Sequence, residues 1–471
     1  MRTATSKQFR QLILGKYPAL QGSEPYRRFF CYLCFSGFFD AETHQLVIPT
    51  KTIAEEFYQQ SYNVHFNGLA KLEEFRDAVL PNLKWTEHKA FSPSSFAGKA
   101  RMITDLGLDA ETLAALHDEC LKPCKDQIDF VTGEPHGRKT LYQERAAETE
   151  TYRQELAQFH VTPTARKILD YLAKVNSGHL FLRKIHENES AIKSAIALLD
   201  PPVQEIQYRI LRSVEHNPNI YYCPSAEGRT CRISPRGDTL VGLRKEVRKA
   251  ATHGWTECDL RSSQFAILAS KLKAPISLAF IATEKSLWCE LYAFVTGAGG
   301  APPDPVKKVL KEAIYSVCYG RSKTELHKLL KPHGLERMLD HPILKELLAL
   351  RKVWFDEIEK AGGAFDVWGV FQAVDNEKDP KTKKSKRWAG AVGASVIQSI
   401  EMEIIAPIFD VAERHGTSDQ FSVAIFQHDG ASISFTGSAM KKARAMKKLK
   451  KAVEDRARAL DVETVLEFTD L

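Results

Sequence analysis

Residues 421–435 read FSVAIFQHDGASISF, and this stretch carries the clearest local signal in the 471-residue sequence. Apolar residues alternate with small or polar ones on both sides of Asp429-Gly430, which is a strong two-residue turn signal. The pattern therefore predicts a β-hairpin with His428 and Asp429 at its tip. An acid at a hairpin tip is usually only a turn residue, so a catalytic interpretation needs a second acid at the same point.

Asp259 is the candidate for that second acid. The segment WTEC, residues 255–258, has the composition of a short strand, and SSQFAILASKL, residues 262–272, that of a helix. We therefore expect Asp259 to end the strand, at a strand-to-helix junction. Two carboxylates from separate strands that share metal ions about 4 Å apart form a two-metal phosphoryl-transfer site. Taken alone, the pair is a weak indication, because every long chain contains such aspartates.

A third element is PVKKVLKEAIYSVCYGRS, residues 305–322. Two lysines and two tyrosines recur here every four residues and therefore share one stripe of a helix: Lys307, Lys311, Tyr315 and Tyr319. The cations suit phosphates, and the rings suit a base and a sugar. The plainer interpretation is an amphipathic helix whose tyrosines lie between core and solvent.

Together, the three elements resemble the three sequence motifs of family A nucleic-acid polymerases, the right-hand fold of bacterial repair polymerases and single-subunit phage RNA polymerases. Asp259 with SSQFAILA is similar to the first motif, and His428-Asp429 to the third. The second motif is matched by Lys307, Lys311, Tyr315, Tyr319 and Gly320. Gly228-Arg229-Thr230 is similar to the Gly-Arg element of the family, and ALDVETVLEF, residues 459–468, to its last palm strand. The resemblance covers residues 160–471, and the joint spacing is more specific than any single motif.

The resemblance implies a helix-rich α+β fold: a palm with a small antiparallel sheet, helical fingers and thumb, and an additional N-terminal, mainly helical domain. The implied division is an N-terminal domain of unknown role at 1–142, a thumb-like helical region at 143–225, palm at 226–270, fingers at 271–384 and palm again at 385–471. Within the thumb-like region, Pro163 and Pro201-Pro202 are expected to begin helices.

The implied activity is that of a DNA polymerase that extends a primer on a template with deoxynucleoside triphosphates by two-metal phosphoryl transfer. Asp259 and Asp429 would bind two Mg²⁺ ions, for which Mn²⁺ can substitute, and Lys311 would be a third catalytic residue. The nucleotide contacts would come from Arg229, Lys307, Lys311, Tyr315, Tyr319, Gly320 and Gln264. Primer and template would contact His428, Gln398 and Arg229. We expect no proofreading, because the first 140 residues lack the room and the acidic motifs of an exonuclease.

Three positions depart from the family pattern. Gln264 stands where the DNA polymerases of the family usually carry Glu, and Gly430 stands where they carry Glu after His-Asp. Ala394 precedes Gln398 where Asn is common. These departures bear on the choice of sugar and on the contacts with the primer duplex.

Two other functions stay open at the level of sequence. The first is a primase-like or single-subunit RNA polymerase, because GRTCRISPRGDTL, residues 228–240, is also similar to phage RNA polymerases after their Gly-Arg. The second is a non-catalytic plasmid or phage replication initiator whose N-terminal block binds an origin. In that block, IPTKTIAEEF from residue 48 and GLAKLEEF from residue 68 have the pattern of a helix-turn-helix or of two ordinary packed helices.

Composition limits the class of protein. With 44% hydrophobic and 27% charged residues, the chain is that of a globular protein, and a disordered or fibrous one is excluded. We expect no membrane association, because no run of eighteen apolar residues occurs. Nine scattered cysteines fit a reducing compartment, so we expect a cytoplasmic protein, and a small polymerase without proofreading would suit a plasmid or a phage. A monomer is expected.

Charge and cysteine spacing add two expectations. The net charge is +7, and basic residues cluster at 378–387, 441–451 and 229–248, which favours a polyanionic partner such as a primer-template. Cys31 with Cys34 and Cys120 with Cys124 have loosely zinc-like spacing. Because the first pair lies in the aromatic run RRFFCYLCFSGFF, we favour buried thiols over a zinc site.

Overall fold

The computed structural model describes residues 4–35, 38–39, 46–49, 53, 68–88, 100–123, 127–136, 138–175, 178–225, 230–283, 285–378 and 385–471. The α-helices of these residues are α1 Lys7–Lys16, α2 Ala19–Gly22, α3 Glu24–Phe35, α4 Gly68–Ala78, α5 Ala110–Leu121, α6 Arg138–Gln158, α7 Pro163–Val175, α8 Gly178–Glu187, α9 Glu189–Ala197, α10 Pro201–His216, α11 Lys245–Ala251, α12 Ser263–Lys271, α13 Pro275–Ile281, α14 Leu287–Thr296, α15 Asp304–Cys318, α16 Lys323–Leu330, α17 Pro342–Ala361, α18 Ala389–Ile405, α19 Pro407–Asp419 and α20 Ala439–Ala459.

The strands are short and belong to small antiparallel sheets. They are β1 Ala4–Thr5, β2 Phe38–Phe39, β3 Leu46–Pro49, β4 Lys84–His88, β5 Ala100–Asp105, β6 Gln127–Asp129, β7 Pro135–His136, β8 Tyr222–Pro224, β9 Ile233–Pro235, β10 Thr256–Leu260, β11 Gly363–Phe365, β12 Phe371–Ala373, β13 Asp375–Lys378, β14 Ser385–Arg387, β15 Phe421–Phe426, β16 Gly430–Phe435 and β17 Leu466–Asp470. The predicted helix-rich α+β class is confirmed.

Two compact units share the chain, and their segments alternate along the sequence. The first unit comprises Met1–Ala157, Asn176–Tyr221 and Pro235–His253, and the second comprises Gln158–Val175, Tyr222–Ser234 and Gly254–Leu471. The predicted boundary at residue 142 falls inside α6, which runs on to Gln158.

The first unit contains more strand than the sequence indicated. It holds a three-stranded sheet of order β1-β6-β7 and a four-stranded sheet of order β2-β3-β5-β4, so the mainly helical N-terminal domain is a mixed α+β unit. Pro49 is the last residue of β3. Of the predicted helix-turn-helix, α4 is described, whereas residues 50–52 and 54–67 lie outside the described residues.

Helix α10 forms part of the core of this unit. Proline occupies its first turn, as predicted, and removes no hydrogen bond there because the first N–H groups of a helix have no partner inside it. Ile206, Ile210 and Val214 are buried on one face. In α3, Cys31 and Cys34 are buried thiols, as predicted, and burial raises the pKa of Cys34. Cys120 is also buried, and Cys124 lies outside the described residues.

The second unit is built on a four-stranded antiparallel sheet of order β15-β16-β10-β17. Strand β10 lies between β16 and β17, so that Asp259 is opposite Gly430 on one side and Glu467 on the other. The strands predicted near residues 255–260 and 421–428 and the closing strand are all present. The basic helix α20 precedes the closing strand, again as predicted.

Strand β15 is an edge of this sheet, and two tyrosines from elsewhere in the unit contact its backbone. The Tyr171 hydroxyl accepts a hydrogen bond from the Val423 N–H at 3.1 Å. The Tyr222 hydroxyl accepts from the Phe426 N–H at 2.9 Å and donates to the Phe426 carbonyl at 3.1 Å.

Helix α18 is the core helix of the second unit. By length and composition the stretch Ala389–Asp419 could cross a membrane, but 72% of its most apolar window is buried inside the structure. The stretch is divided into α18 and α19 at Pro407. Burial on nearly all sides explains the apolar sequence of α18, because such a helix has no solvent face to carry charge.

Candidate active site

The predicted β-hairpin is present, with His428 and Asp429 at its tip, but Gly430 is not part of the turn. Residues 427–429 connect the strands, and His428 has a φ of +65° in the left-handed region. Gly430 is the first residue of β16. A Cβ there would collide with the Cys258 carbonyl and lie 3.2 Å from Asp259 Oδ1. The glycine is therefore required by the close approach of β10, and the prediction that it forms the turn is wrong.

Asp259 and Asp429 are presented by neighbouring strands. Asp259 lies within β10 and not after its end, since the strand continues to Leu260. The Leu260 N–H donates to the Asp429 carbonyl at 3.0 Å, which joins the backbone of the two segments. The Asp259 side chain reaches solvent and Asp429 is half-buried. The pair therefore remains open to a substrate from one side.

Electrostatics connect the two carboxylates. Desolvation by the surrounding protein raises the pKa of both groups above the ordinary value of 3.8. The charge of Asp259 raises the pKa of Asp429 further, whereas the Lys311 ammonium opposes the rise at Asp259. Acids with perturbed pKa values, held close together at an open surface, are a mark of functional sites.

Helix α15 presents the predicted stripe. Lys307, Lys311, Tyr315 and Tyr319 are all half-buried, between a buried apolar face and solvent. Lys311 Nζ lies 5.6 Å from the centre of the Trp288 ring. Burial raises the pKa of Tyr315, and the charges of Asp429 and Asp259 add to this rise. The stripe therefore lies within electrostatic reach of both aspartates.

Gln398 contacts the end of that stripe. Its side chain is hydrogen-bonded to the Tyr319 hydroxyl, and its Oε1 accepts from the Thr230 hydroxyl. The structure thus brings Gln398 beside Tyr319 and Thr230. Gly228 and Arg229 themselves lie outside the described residues.

Gly320, which follows Tyr319, is required for two reasons. Its φ is +86°, and a Cβ would lie 2.5 Å from Trp388 Cη2 and 2.9 Å from Phe355 Cε2. Trp388 itself is 43% exposed. The second predicted motif therefore ends in a turn that only glycine can form.

Two residues that the sequence interpretation missed complete the site. Glu401 on α18 is 1% exposed and accepts hydrogen bonds from the Ser263 hydroxyl at 2.8 Å and from Arg232 Nη2 at 2.6 Å. Arg232 Nη2 is also 3.5 Å from the Tyr319 hydroxyl. The available signal was an acid in an apolar helix, three residues after Gln398 and thus on the same face.

Three polar atoms at this site have no hydrogen-bond partner in the described part of the chain: Gln264 Oε1, Arg232 Nε and His428 Nδ1. Gln264 is only 5% exposed, so its free acceptor is costly unless a ligand reaches it. Burial lowers the pKa of His428 to about 4, with a further contribution from Arg232, so that the imidazole is neutral at pH 7.

The residues present fit a magnesium site of the kind that substrates complete. Within the described ranges, no group of three or more His, Cys, Asp or Glu side chains could hold a metal ion. Mg²⁺ is commonly bound by only one or two carboxylates together with substrate phosphates. Asp259 and Asp429 provide such oxygen ligands, and a cation would relieve the repulsion that raises the pKa of Asp429.

Comparisons with known proteins give little further information. No protein-family model and no curated protein matches the sequence. Among solved structures, the POL domain of Pol1 from M. smegmatis, in complex with DNA primer-template and dNTP, is similar with a TM-score of 0.42 and 12% identity. The match covers 95% of this chain and 81% of that one. A similarity of this size identifies neither family nor activity.

Proposed function

We propose that this chain is a template-directed DNA polymerase that extends a primer with deoxynucleoside triphosphates and does not proofread. The observation that carries the proposal is the convergence of Asp259, Asp429 and the Lys311–Tyr315 stripe, three elements that are distant in sequence. Paired carboxylates opposite a lysine and an aromatic ring suit a nucleoside triphosphate better than any other common substrate.

Asp259 and Asp429 would hold two Mg²⁺ ions, with Mn²⁺ as a substitute. When bound, such ions make the primer 3′-hydroxyl more acidic and neutralise charge on the triphosphate. The open side of the carboxylate pair leaves room for these groups.

The helix stripe would bind the nucleotide. Lys311 would contact the phosphates and donate a proton to the leaving pyrophosphate, and Lys307 would add a second cation. Tyr315 would pack against the sugar, and Tyr319 with Gly320 would border the template base. Gln264 would fill the space beside the sugar. Arg229 stays a predicted phosphate ligand.

The strand tip and α18 would contact the nucleic acid. His428, as a neutral imidazole, would position the primer end through hydrogen bonds and not through charge. Gln398 would contact the duplex.

On α20, part of the basic cluster is already used within the protein, because Arg444 and Lys448 bind the buried carboxylate of Asp419. Fewer lysines and arginines than the sequence suggests would therefore contact the phosphates of the nucleic-acid backbone. A monomer in the cytoplasm completes the proposal.

Primer extension tests the proposal. Primed and unprimed DNA and RNA templates are each supplied with deoxy- or ribonucleoside triphosphates and Mg²⁺. We expect deoxynucleotide addition on a primed template only. Ribonucleotide synthesis without a primer would instead indicate the RNA-polymerase or primase function. Absence of synthesis in every combination, with replication in cells unaffected by Asp259→Asn and Asp429→Asn, would indicate a non-catalytic initiator.

A further inference from the structure

Glu401 is a charged residue in a setting that ordinarily excludes charge. It is 1% exposed within the apolar core helix α18. Burying a carboxylate costs several kcal/mol unless it is paired and hydrogen-bonded. Both oxygens of Glu401 are in fact used: one accepts from Ser263 Oγ at 2.8 Å and the other from Arg232 Nη2 at 2.6 Å.

These two partners belong to the proposed catalytic site. Ser263 is the first residue of α12, directly before Gln264, and four residues after Asp259. Arg232 lies 3.5 Å from the Tyr319 hydroxyl and is near enough to Asp429 for its charge to oppose the rise in the pKa of that carboxyl. Glu401 therefore connects the segments that carry the first and second motifs.

Arg232 keeps an unused donor in this arrangement. Its Nη2 is held by Glu401, while its Nε is buried and has no partner among the described residues. A guanidinium fixed at one end by a carboxylate presents its other donors in a defined direction, since the group is planar and rigid. Such a donor suits an anionic oxygen or a carbonyl of the bound nucleotide or template base.

Glu403, two residues further on, provides an internal comparison. It points to the opposite side of α18, because two residues correspond to about 200° of helix rotation. There it pairs with Arg456 and accepts from Thr164 and from Trp368 Nε1, the latter at 2.8 Å. The same helix thus carries one fully buried acid and one half-buried acid, each with a cationic partner, and of these two Glu401 is the one that contacts residues of the proposed site.

We propose that Glu401 is a positioning residue of this site: by holding Arg232 beside Tyr319 and Ser263 at the start of α12, it fixes the cation that faces the nascent base pair. The inference rests on the proposed polymerase function. It assigns Glu401 no contact with substrate or metal and no proton transfer.

The test compares Glu401→Gln with the matched control Glu403→Gln. Both substitutions keep the side-chain volume and remove one charge from the same helix, a fully buried charge at Glu401 and a half-buried charge at Glu403. We expect Glu401→Gln to lower kcat for single-nucleotide addition by about 10- to 100-fold, with less than about threefold change in KM for the triphosphate, because misplacement of a positioned group acts mainly on the transition state. Glu403→Gln should lower the melting temperature and leave kcat within about twofold.

Three further measurements separate positioning from other roles. Glu401→Asp should recover most of the lost kcat, since a carboxylate is again available. The double variant Arg232→Gln/Glu401→Gln should be no slower than Arg232→Gln alone, because each change removes the same interaction, the Arg232–Glu401 ion pair. The Mg²⁺ concentration for half-maximal rate should be unchanged in Glu401→Gln.

Each contrary result has a distinct meaning. Equal kcat in Glu401→Gln and Glu403→Gln, or multiplying effects in the double variant, would show that Glu401 is only a buried structural charge. A raised Mg²⁺ requirement would make Glu401 a metal ligand and also overturn the inference. A wild type that incorporates no nucleotide would remove the proposed function, and the inference with it, whereas the other outcomes leave the proposed function standing.

Discussion

At the scale of single residues, the two carboxylates carry the first prediction. Asp259→Asn and Asp429→Asn should each abolish nucleotide incorporation and leave affinity for a primer duplex nearly unchanged. Metal ions need ionised carboxylates, whereas duplex affinity rests on many lysine and arginine contacts with phosphate. Primer extension and a duplex-binding titration on the same preparations measure the two effects. Retention of more than a small fraction of the rate by either variant would remove the metal-binding assignment.

The same carboxylates predict a gain in stability when one of them is neutralised. The pKa of Asp429 is raised above 3.8 in the folded protein, so its contribution to stability is present below about pH 4 and is lost as pH rises through the raised value. In chelator-treated protein, Asp429→Asn should therefore raise the melting temperature at pH 7 to 8 and have little effect near pH 4. A variant that is less stable than wild type at pH 8 would contradict this expectation.

Gln264 is the residue that we propose selects the sugar of the incoming nucleotide. Its side chain is nearly fully buried and has the bulk to exclude a 2′-hydroxyl, although its free Oε1 could accept a hydrogen bond from one. Steric overlap costs about 1–3 kcal/mol and one hydrogen bond returns about 1 kcal/mol, so wild type should prefer deoxynucleotides. Gln264→Gly should narrow this preference. Competition between matched deoxy- and ribonucleotides measures this preference in wild type and in Gln264→Gly. An unchanged ratio of deoxy- to ribonucleotide incorporation in the variant would exclude Gln264 from sugar selection.

The sequence predicted which residue types converge, but not every contact. Asp259, Asp429 and Tyr319 could be found because each belongs to a local pattern, and Gln398 could be found from the family resemblance. Glu401 was missed although it lies on the same helix face as Gln398, because its partners Ser263 and Arg232 are distant in sequence. The Asp-Gly pair predicts a turn at Asp429-Gly430, because this is a common turn pair; the turn instead lies at residues 427–429, and Gly430 is required where β16 approaches β10.

At the scale of elements, α15 separates the roles of two lysines that share one stripe. Lys311 acts on the pKa of Asp259, whereas Lys307 lies one turn nearer the helix start and is not among the charges that shift it. Lys311→Met should therefore lower kcat more than it raises KM, because charge develops on the departing pyrophosphate. Lys307→Met should mainly raise KM. Small and equal effects in steady-state kinetics would indicate a purely structural helix.

Element starts were predictable wherever a local rule governs them. Pro163 and Pro201 begin helices because proline fits the first turn, where no N–H is needed. The strands of the first unit were missed because they are short, and their stability comes from pairing with distant segments and not from their own composition.

At the scale of the whole molecule, the alternation of the two units has a consequence for truncation. Removing residues 1–157 leaves Asn176–Tyr221 and Pro235–His253, which belong to the first unit, without most of their core. Buried side chains such as Ile206 and Val214 would then face water. The fragment 158–471 should accordingly be insoluble or bind a hydrophobic dye. Co-expression with 1–157 should restore solubility. A soluble, cooperatively melting 158–471 fragment would contradict this expectation.

The two tyrosines that bind the β15 backbone affect the tendency of the protein to aggregate. An open strand edge offers unpaired N–H and C=O groups to any second chain, which is a common origin of aggregation. Here the hydroxyls of Tyr171 and Tyr222 already bind the Val423 and Phe426 backbone. At this edge of the sheet that carries both aspartates, the backbone groups of Val423 and Phe426 are therefore already occupied, and a second molecule has fewer groups with which to pair.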